Sequence, residues 1–213
     1  MSDILNPSQA KYLNSFKKED DPLIIEMEKY AAENKVPILS WQSADLLEIL
    51  IKMLKPKRVL EIGTAIAYSS IRIARNLKKK SVLHTIEKSE DNISTAKENI
   101  NKAGLGDKIE IFEGDALNIM PRLDKKYDFI FLDADKEDYK GLFDYSLILL
   151  KKNGVIFVDN LLWHGYAAVK KAPVNYRESV KHIKEFNQVF FSHKNLKTTL
   201  LPIGDGVGLG IKI

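Results

Sequence analysis

From position 58 onward the chain alternates short runs of β-branched and aromatic residues with longer amphipathic stretches, and this alternation narrows the possible folds more than any other feature. Residues 58–62, 82–86, 109–112, 129–132 and 155–158 read as strands, being short, apolar and bounded by turn-forming or charged residues. The gaps between them suit helices. The best marked has Ser89 as its cap, Glu90 and Asp91 in its first turn, and Gly104 at its end, where a left-handed residue closes a helix. Strands that alternate with helices imply a mostly parallel, doubly wound α/β sheet covered on both faces. A helix over 176–191 is followed by runs at 198–202 and 206–213, separated by Ile203-Gly204-Asp205. These read as a closing hairpin whose last strand is antiparallel, giving seven strands.

Two helices are expected ahead of this pattern. Leu23, Ile24, Met27, Tyr30 and Ala31 fall on one face of a helix over 22–34, with Asp21 as cap and Pro22 at the first helical position. Val36-Pro37-Ile38 interrupts it, because proline disfavours helical geometry in the residue before it, and a second helix follows over 41–54. At 213 residues, with no linker or repeat, the chain is expected to be a single domain. No apolar run reaches the roughly 18 residues of a membrane span. The start Met1-Ser2-Asp3-Ile4-Leu5-Asn6-Pro7 lacks a leader pattern, so a cytoplasmic location is expected, with no membrane partner. The absence of cysteine excludes disulfides, thiolate metal sites and cysteine nucleophiles. The net charge of +4 is too small to demonstrate a polyanionic partner.

Ligands of doubly wound sheets bind beyond the carboxyl ends of the strands, so the residues there carry the chemistry. The first strand ends in Glu61-Ile62-Gly63-Thr64, where Gly63 allows a tight turn and close backbone approach. The second runs into Glu87, 24 positions after Gly63, about the spacing at which an acidic side chain meets a ribose diol. It equally suits a solvated carboxylate at a helix start. The third reaches Gly114-Asp115-Ala116, where Asp115 either caps a helix or accepts from an adenine amino group. The fourth ends in Asp133-Ala134-Asp135-Lys136 and the fifth in Asp159-Asn160. Carboxylates massed at one edge repel unless protonated or bridged by a cation, and oxygen ligands without thiolates favour Mg²⁺, with Mn²⁺ or Ca²⁺ as alternatives.

Together these motifs resemble the class I, catechol-O-methyltransferase-like bacterial O-methyltransferases. The resemblance runs from Tyr30-Ala31-Ala32-Glu33 and Val36-Pro37-Ile38 through Glu61-Ile62-Gly63-Thr64, Leu132-Asp133-Ala134-Asp135-Lys136 and Val158-Asp159-Asn160 to Pro202-Ile203-Gly204-Asp205-Gly206. It implies a Rossmann-like methyltransferase fold, with helices of residues 1–55 covering the cofactor site and 56–213 forming the catalytic sheet and helices. It implies S-adenosylmethionine as cofactor and a homodimer. Asp133, Asp159 and Asn160 would then ligate the metal, with Asp133 also facing the cofactor. Glu61, Gly63, Tyr68 and Ser69 would border the methionine portion, Glu87 the ribose, and Asp115 and Ala116 the adenine. Leu39 would close the pocket, and Lys136 matches the family's proposed general base. Ala67 departs from the pattern, standing where relatives usually carry glycine, and its methyl is expected to crowd the cofactor turn.

Within the family, Val36-Pro37-Ile38, Thr64-Ala65-Ile66-Ala67-Tyr68-Ser69-Ser70-Ile71-Arg72 and the Pro-Ile-Gly-Asp-Gly ending are most similar to bacterial tRNA 5-hydroxyuridine methyltransferases. That narrower resemblance implies an anticodon-loop acceptor, 5-hydroxyuridine at the wobble position of tRNA, methylated to 5-methoxyuridine. The alternative is a small catechol or other phenol with vicinal oxygens. Both acceptors offer a metal two adjacent oxygens, so chemistry at the metal does not separate them. Lys170, Lys171, Arg177, Lys181 and Lys184 are candidates for phosphate contacts, and Trp163 and Tyr166 for stacking on a base. A nicotinamide enzyme is disfavoured by the lack of a full Gly-x-Gly-x-x-Gly, and the four histidines show no ligand spacing.

Overall fold

The computed structural model describes residues 5–213; the first four, part of the stretch that lacks a leader pattern, lie outside the described residues. In chain order the elements are α1 (Pro7–Asn14), α2 (Pro22–Asn34), α3 (Trp41–Leu54), β1 (Arg58–Ile62), α4 (Tyr68–Asn76), β2 (Val82–Glu87) and α5 (Glu90–Ala103). Then come β3 (Ile109–Glu113), α6 (Ala116–Ile119), β4 (Tyr127–Leu132), α7 (Tyr139–Leu149), β5 (Leu150–Val158), α8 (Arg177–Ser192), β6 (Leu196–Leu201) and β7 (Val207–Lys212). The seven strands form one sheet in the order β3-β2-β1-β4-β5-β7-β6. β1 to β5 run parallel, while β7 is antiparallel to both β5 and β6. The doubly wound sheet with its antiparallel final strand matches the pattern read from the sequence.

Strand periodicity sorts the core into two faces. Val59, Phe129, Phe131 and Phe157 pack with Met27, Leu47, Ile51 and Ile71 from α2, α3 and α4. Leu60, Ile62, Ile130, Leu132 and Ile156 pack on the other face with Phe143, Phe186 and Phe190 from α7 and α8. The Phe143 and Phe186 rings meet edge to face at 5.5 Å, the arrangement their quadrupoles favour. Asp21 caps α2 as expected, accepting from the Leu23 and Ile24 amides at 2.9 and 3.2 Å. Trp41 of α3 ties back to α1 through Asn14 at 2.9 Å.

Two elements differ from the reading of the sequence. β5 begins at Leu150 rather than 155, because Leu150 pairs with Tyr127 before the register shifts. The polar Lys151-Lys152-Asn153-Gly154 stretch, with Asn153 at φ 62°, is a bulged part of the strand rather than the turn its composition implies. α1 has no counterpart among the expected helices: it buries no residue, so it has no apolar face to reveal it, and it is held by a capping box between Asn6 and Gln9.

Candidate active site

Ile62 stands opposite both Ile86 and Leu132, and Leu132 opposite Val158. The next residue on each strand, or the last on β2, therefore emerges at the same edge: Gly63, Glu87, Asp133 and Asp159. A cavity of about 640 Å³ lies along this edge. It sits where the strand order reverses between β1 and β4, the usual ligand position in such sheets. Gly63 has φ +99°, and a Cβ there would collide with the Asp133 carbonyl oxygen, so only glycine lets β1 and β4 approach this closely.

One half of the cavity is walled by Leu39, Gly63, Tyr68, Ser69, Glu87, Asp115 and Ala116. Glu87 Oε2 accepts from the Ala65 amide at 2.8 Å, and Oε1 accepts from the Lys88 and Ser89 amides at 2.9 Å each. Its carboxylate thus braces both the first turn and the start of α5. Asp115 caps α6 by accepting from the Leu117 amide at 2.7 Å while also facing the cavity. Tyr68, the first residue of α4, donates its hydroxyl to Glu28 at 2.9 Å and accepts from Arg72 at 3.0 Å.

Glu61, expected beside the methionine portion, does not line the cavity. On β1 it shares a face with Val59, toward α4, where it accepts hydrogen bonds from Ser69 and Thr85 at 2.6 and 2.7 Å and from Ser70. It stands one layer behind Ser69. Burial, only partly countered by the three hydroxyls, pushes its carboxyl up to about 7. The Ala67 methyl is likewise buried in the core and absent from the cavity wall. Its φ of 67° is the left-handed geometry that glycine adopts without strain.

The other half gathers Asp133, Lys136, Asp159, Asn160 and Asp205. Asp159 is 3% exposed; one oxygen accepts from Asn160 Nδ2 at 3.1 Å, and Oδ1 has no hydrogen-bond partner among the described residues. Burial first, and then the Asp133 charge, push the Asp159 carboxyl well above the usual range. The Lys136 ammonium donates to Asp133 at 3.2 Å, to the Ala134 carbonyl at 2.9 Å and to the Tyr139 hydroxyl at 2.5 Å. Tyr139 passes its own hydrogen to the Asp159 carbonyl at 3.1 Å. Asp135, by contrast, pairs with Lys88 at 2.5 Å across the cavity mouth.

Asp205, which in sequence is only part of a turn, has a structural task here. It accepts from the His164 amide at 2.6 Å, while the Asp205 and Gly206 carbonyls accept from Leu162 and Leu161 at 2.9 Å each. The β6–β7 turn thereby straps down the loop after β5, where Asn160, Trp163 and His164 all have positive φ. The Gly-Asp-Gly sequence is the only signal of it. Trp163 lines the cavity, with Lys136 Nζ 5.4 Å from its ring centroid. Tyr166, expected to stack on a base, is not part of the wall and packs on Tyr176 at 5.2 Å. In the basic segment Lys184 and Arg177 donate to the carbonyls of Val169 and Ala172, and Lys181 lies 3.8 Å from Glu178. Lys170 and Lys171 are exposed. His164 and His182, whose spacing carries no chemistry in the sequence, both border the cavity.

Comparison with known proteins converges on one chemistry. The family model described as O-methyltransferase matches residues 14–213. Caffeoyl-CoA O-methyltransferase 2 of Petunia hybrida is 33% identical over 208 residues, covering 91% of this chain and 84% of its own. A Staphylococcus aureus structure assigned to the caffeoyl-CoA O-methyltransferases superposes with a TM-score of 0.89 at 34% identity, covering 97% of this chain and all of that one. The O-methyltransferase TomG of Streptomyces achromogenes, solved in complex with SAM, gives a TM-score of 0.84 at 27% identity over 96% of each chain. With the strand order and the strand-end cavity, these matches show that the chain belongs to the S-adenosylmethionine-dependent O-methyltransferase family.

Proposed function

We propose that this enzyme methylates one of two vicinal oxygens on a small phenolic acceptor of the catechol type, with a divalent cation held by Asp133, Asp159 and Asn160. The observation that carries the reading is the Asp159 Oδ1 atom, buried and without a hydrogen-bond partner among the described residues, beside a second carboxylate in the cavity. An all-oxygen donor set with an orphaned anionic atom fits a hard cation such as Mg²⁺, Mn²⁺ or Ca²⁺. When bound, such an ion supplies Lewis-acid polarisation of the acceptor oxygen.

S-adenosylmethionine would occupy the half of the cavity nearer β2. Glu87 has about four acceptor sites on its carboxylate and three are taken by backbone amides, which leaves one for a ribose hydroxyl. Gly63, Tyr68, Ser69 and Leu39 would border the methionine end, and Asp115 and Ala116 the adenine. Methyl transfer is an in-line displacement at the sulfonium methyl, so the walls must align the acceptor oxygen with that carbon. Lys136 donates to Asp133, to the Ala134 carbonyl and to the Tyr139 hydroxyl; as the ammonium it would steady Asp133 and stabilise an anionic acceptor oxygen. As a free amine the same atom would take the acceptor's proton. Trp163 offers an aromatic face beside it. We read the whole chain as one methyltransferase domain.

The caffeoyl group named for the relatives is itself a catechol, which favours the small acceptor. The exposed Lys170 and Lys171 support the second reading, a 5-hydroxyuridine in a tRNA anticodon loop. The test is transfer of labelled methyl from S-adenosylmethionine with Mg²⁺ to catechol, to a caffeoyl thioester and to hypomodified tRNA. Turnover on vicinal diphenols but not on monophenols is expected. Labelling of tRNA alone, found as 5-methoxyuridine, would replace the small acceptor with the nucleoside.

A further inference from the structure

Arg72 belongs to the segment that carried the resemblance, yet none of the chemistry above uses it. It is 6% exposed in the middle of α4. Its Nε donates to Glu48 at 2.5 Å, Nη2 to Asp45 at 2.8 Å, and Nη1 both to Glu19 at 2.9 Å and to the Tyr68 hydroxyl at 3.0 Å. The Tyr68 hydroxyl donates in turn to Glu28, which Lys17 meets at 2.5 Å. One guanidinium therefore joins the segment before α2, the helix α3 and, through Tyr68, the helix α2. Tyr68 is the member of this network that lines the cavity.

We infer that Arg72 is a positioning residue that holds the N-terminal helices against the cofactor half of the cavity, acting through Tyr68. The electrostatics give it leverage. Glu19, Glu28, Asp45 and Glu48 place four carboxylates around Arg72 and Lys17. Without the guanidinium, the three acidic side chains it bridges repel one another, and the cheapest relief is for α2 and α3 to move off α4. Tyr68 loses one of its two hydroxyl partners at the same time. Leu39 lies in the connection between α2 and α3, so the same movement would open the wall it forms. A planar fork with several fixed donors suits this task, and a lysine would not replace it.

The inference rests on the proposed placement of S-adenosylmethionine beside Tyr68 and Ser69, and the experiment separates the two. Calorimetric titration of the full chain with S-adenosylhomocysteine compares wild type, Arg72→Gln, Glu48→Gln and Ser69→Ala. Arg72→Gln is expected to weaken binding about tenfold and Glu48→Gln, which keeps a neutral acceptor for Nε, about threefold. In turnover the KM for S-adenosylmethionine rises by the same factors while kcat holds within about twofold. If Ser69→Ala weakens binding but both network variants bind as wild type, Arg72 has no positioning role, even if they melt earlier. If Ser69→Ala also binds as wild type, the cofactor placement itself is wrong. Should Arg72→Gln fail to fold, Glu48→Gln decides by hydrogen exchange. Ligand-induced protection of residues 22–34 and 41–54 is expected to shrink, and protection and affinity both equal to wild type overturn the inference.

Discussion

Glu87 at the end of β2 and Asp159 just past β5 are acidic residues on the same edge of the same sheet, and the fold treats them in opposite ways. Three backbone amides converge on Glu87. Asp159 is 3% exposed, has one oxygen with no partner among the described residues, and faces Asp133. The half of the cavity nearer β2 is satisfied by the protein itself, as suits a wall that must be preformed to receive a large ligand. The half nearer β5 carries an electrostatic deficit that a proton or a bound cation relieves. A buried carboxylate that its neighbours compensate only in part costs stability, and such a cost is more common at functional sites than at structural ones.

The largest expected effect tests that contrast directly. Asp159→Asn should lower kcat on the order of 10³-fold, the scale of several kcal/mol of lost transition-state stabilisation. Yet in chelator it should raise the unfolding free energy by about 1–3 kcal/mol, because it removes an unpaired buried charge. Glu87→Ala should do the reverse for stability, costing about 1–3 kcal/mol by orphaning amides. The measurements are steady-state kinetics and urea denaturation in EDTA. The pH dependence carries the same sign: a carboxyl raised in the folded state favours folding while protonated. Wild type in chelator should therefore lose stability as pH rises above the unfolded value near 3.8, and Asp159→Asn should lose less. If Asp159→Asn is instead less stable than wild type in chelator, the deficit does not exist.

How far the cavity is legible in the sequence follows from the same physics. Gly63, Glu87, Asp133 and Asp159 each end an apolar run, and parallel register aligns such ends, so their convergence can be read from the amino-acid order alone. Four things cannot. Glu61 also ends the first run, but its face of β1 depends on strand phase, which places it with Val59 under α4. Asp205 acts through contacts with residues 162–164, some 40 positions earlier, which no local pattern records. The first half of β5 is hidden because a bulge has the composition of a turn. The hydroxyl partners of Glu61 are equally invisible, since Ser69 and Ser70 in the first turn of α4 and Thr85 on β2 come together with it only once the strands and helix pack.

Glu61 sharpens the comparison by separating burial from lack of partners. It is 0% exposed, like Asp159 a buried carboxyl, yet three hydroxyls serve it. Burial still raises it from 4.5 to about 7. A raised carboxyl stabilises the fold fully below its unfolded value and loses that contribution as pH climbs through its folded value. Wild type should therefore lose about 3 kcal/mol relative to Glu61→Gln between pH 4.5 and pH 7, at about 1.4 kcal/mol for each pH unit that separates the two values. Urea denaturation at half-unit pH intervals checks it. Parallel curves for the two proteins would mean that the hydroxyls alone keep Glu61 charged, and that unpaired atoms rather than burial distinguish Asp159.

The smallest effect is expected at Ala67, and its smallness is informative. Ala67 caps α4 at φ 67°, a geometry that costs a residue with a Cβ about 1–2 kcal/mol. Glycine would relieve that strain but lose about 0.8 kcal/mol of buried methyl and a further 0.5–1 kcal/mol through the greater freedom of the unfolded chain. These terms offset, so Ala67→Gly should change the unfolding free energy by less than about 1 kcal/mol in either direction. Because the methyl lies in the core behind the wall, affinity for S-adenosylhomocysteine should stay within about twofold. A tenfold gain in affinity with glycine would mean that the methyl reaches the ligand after all. The half of the cavity described as preformed would then have to shift its first turn on binding.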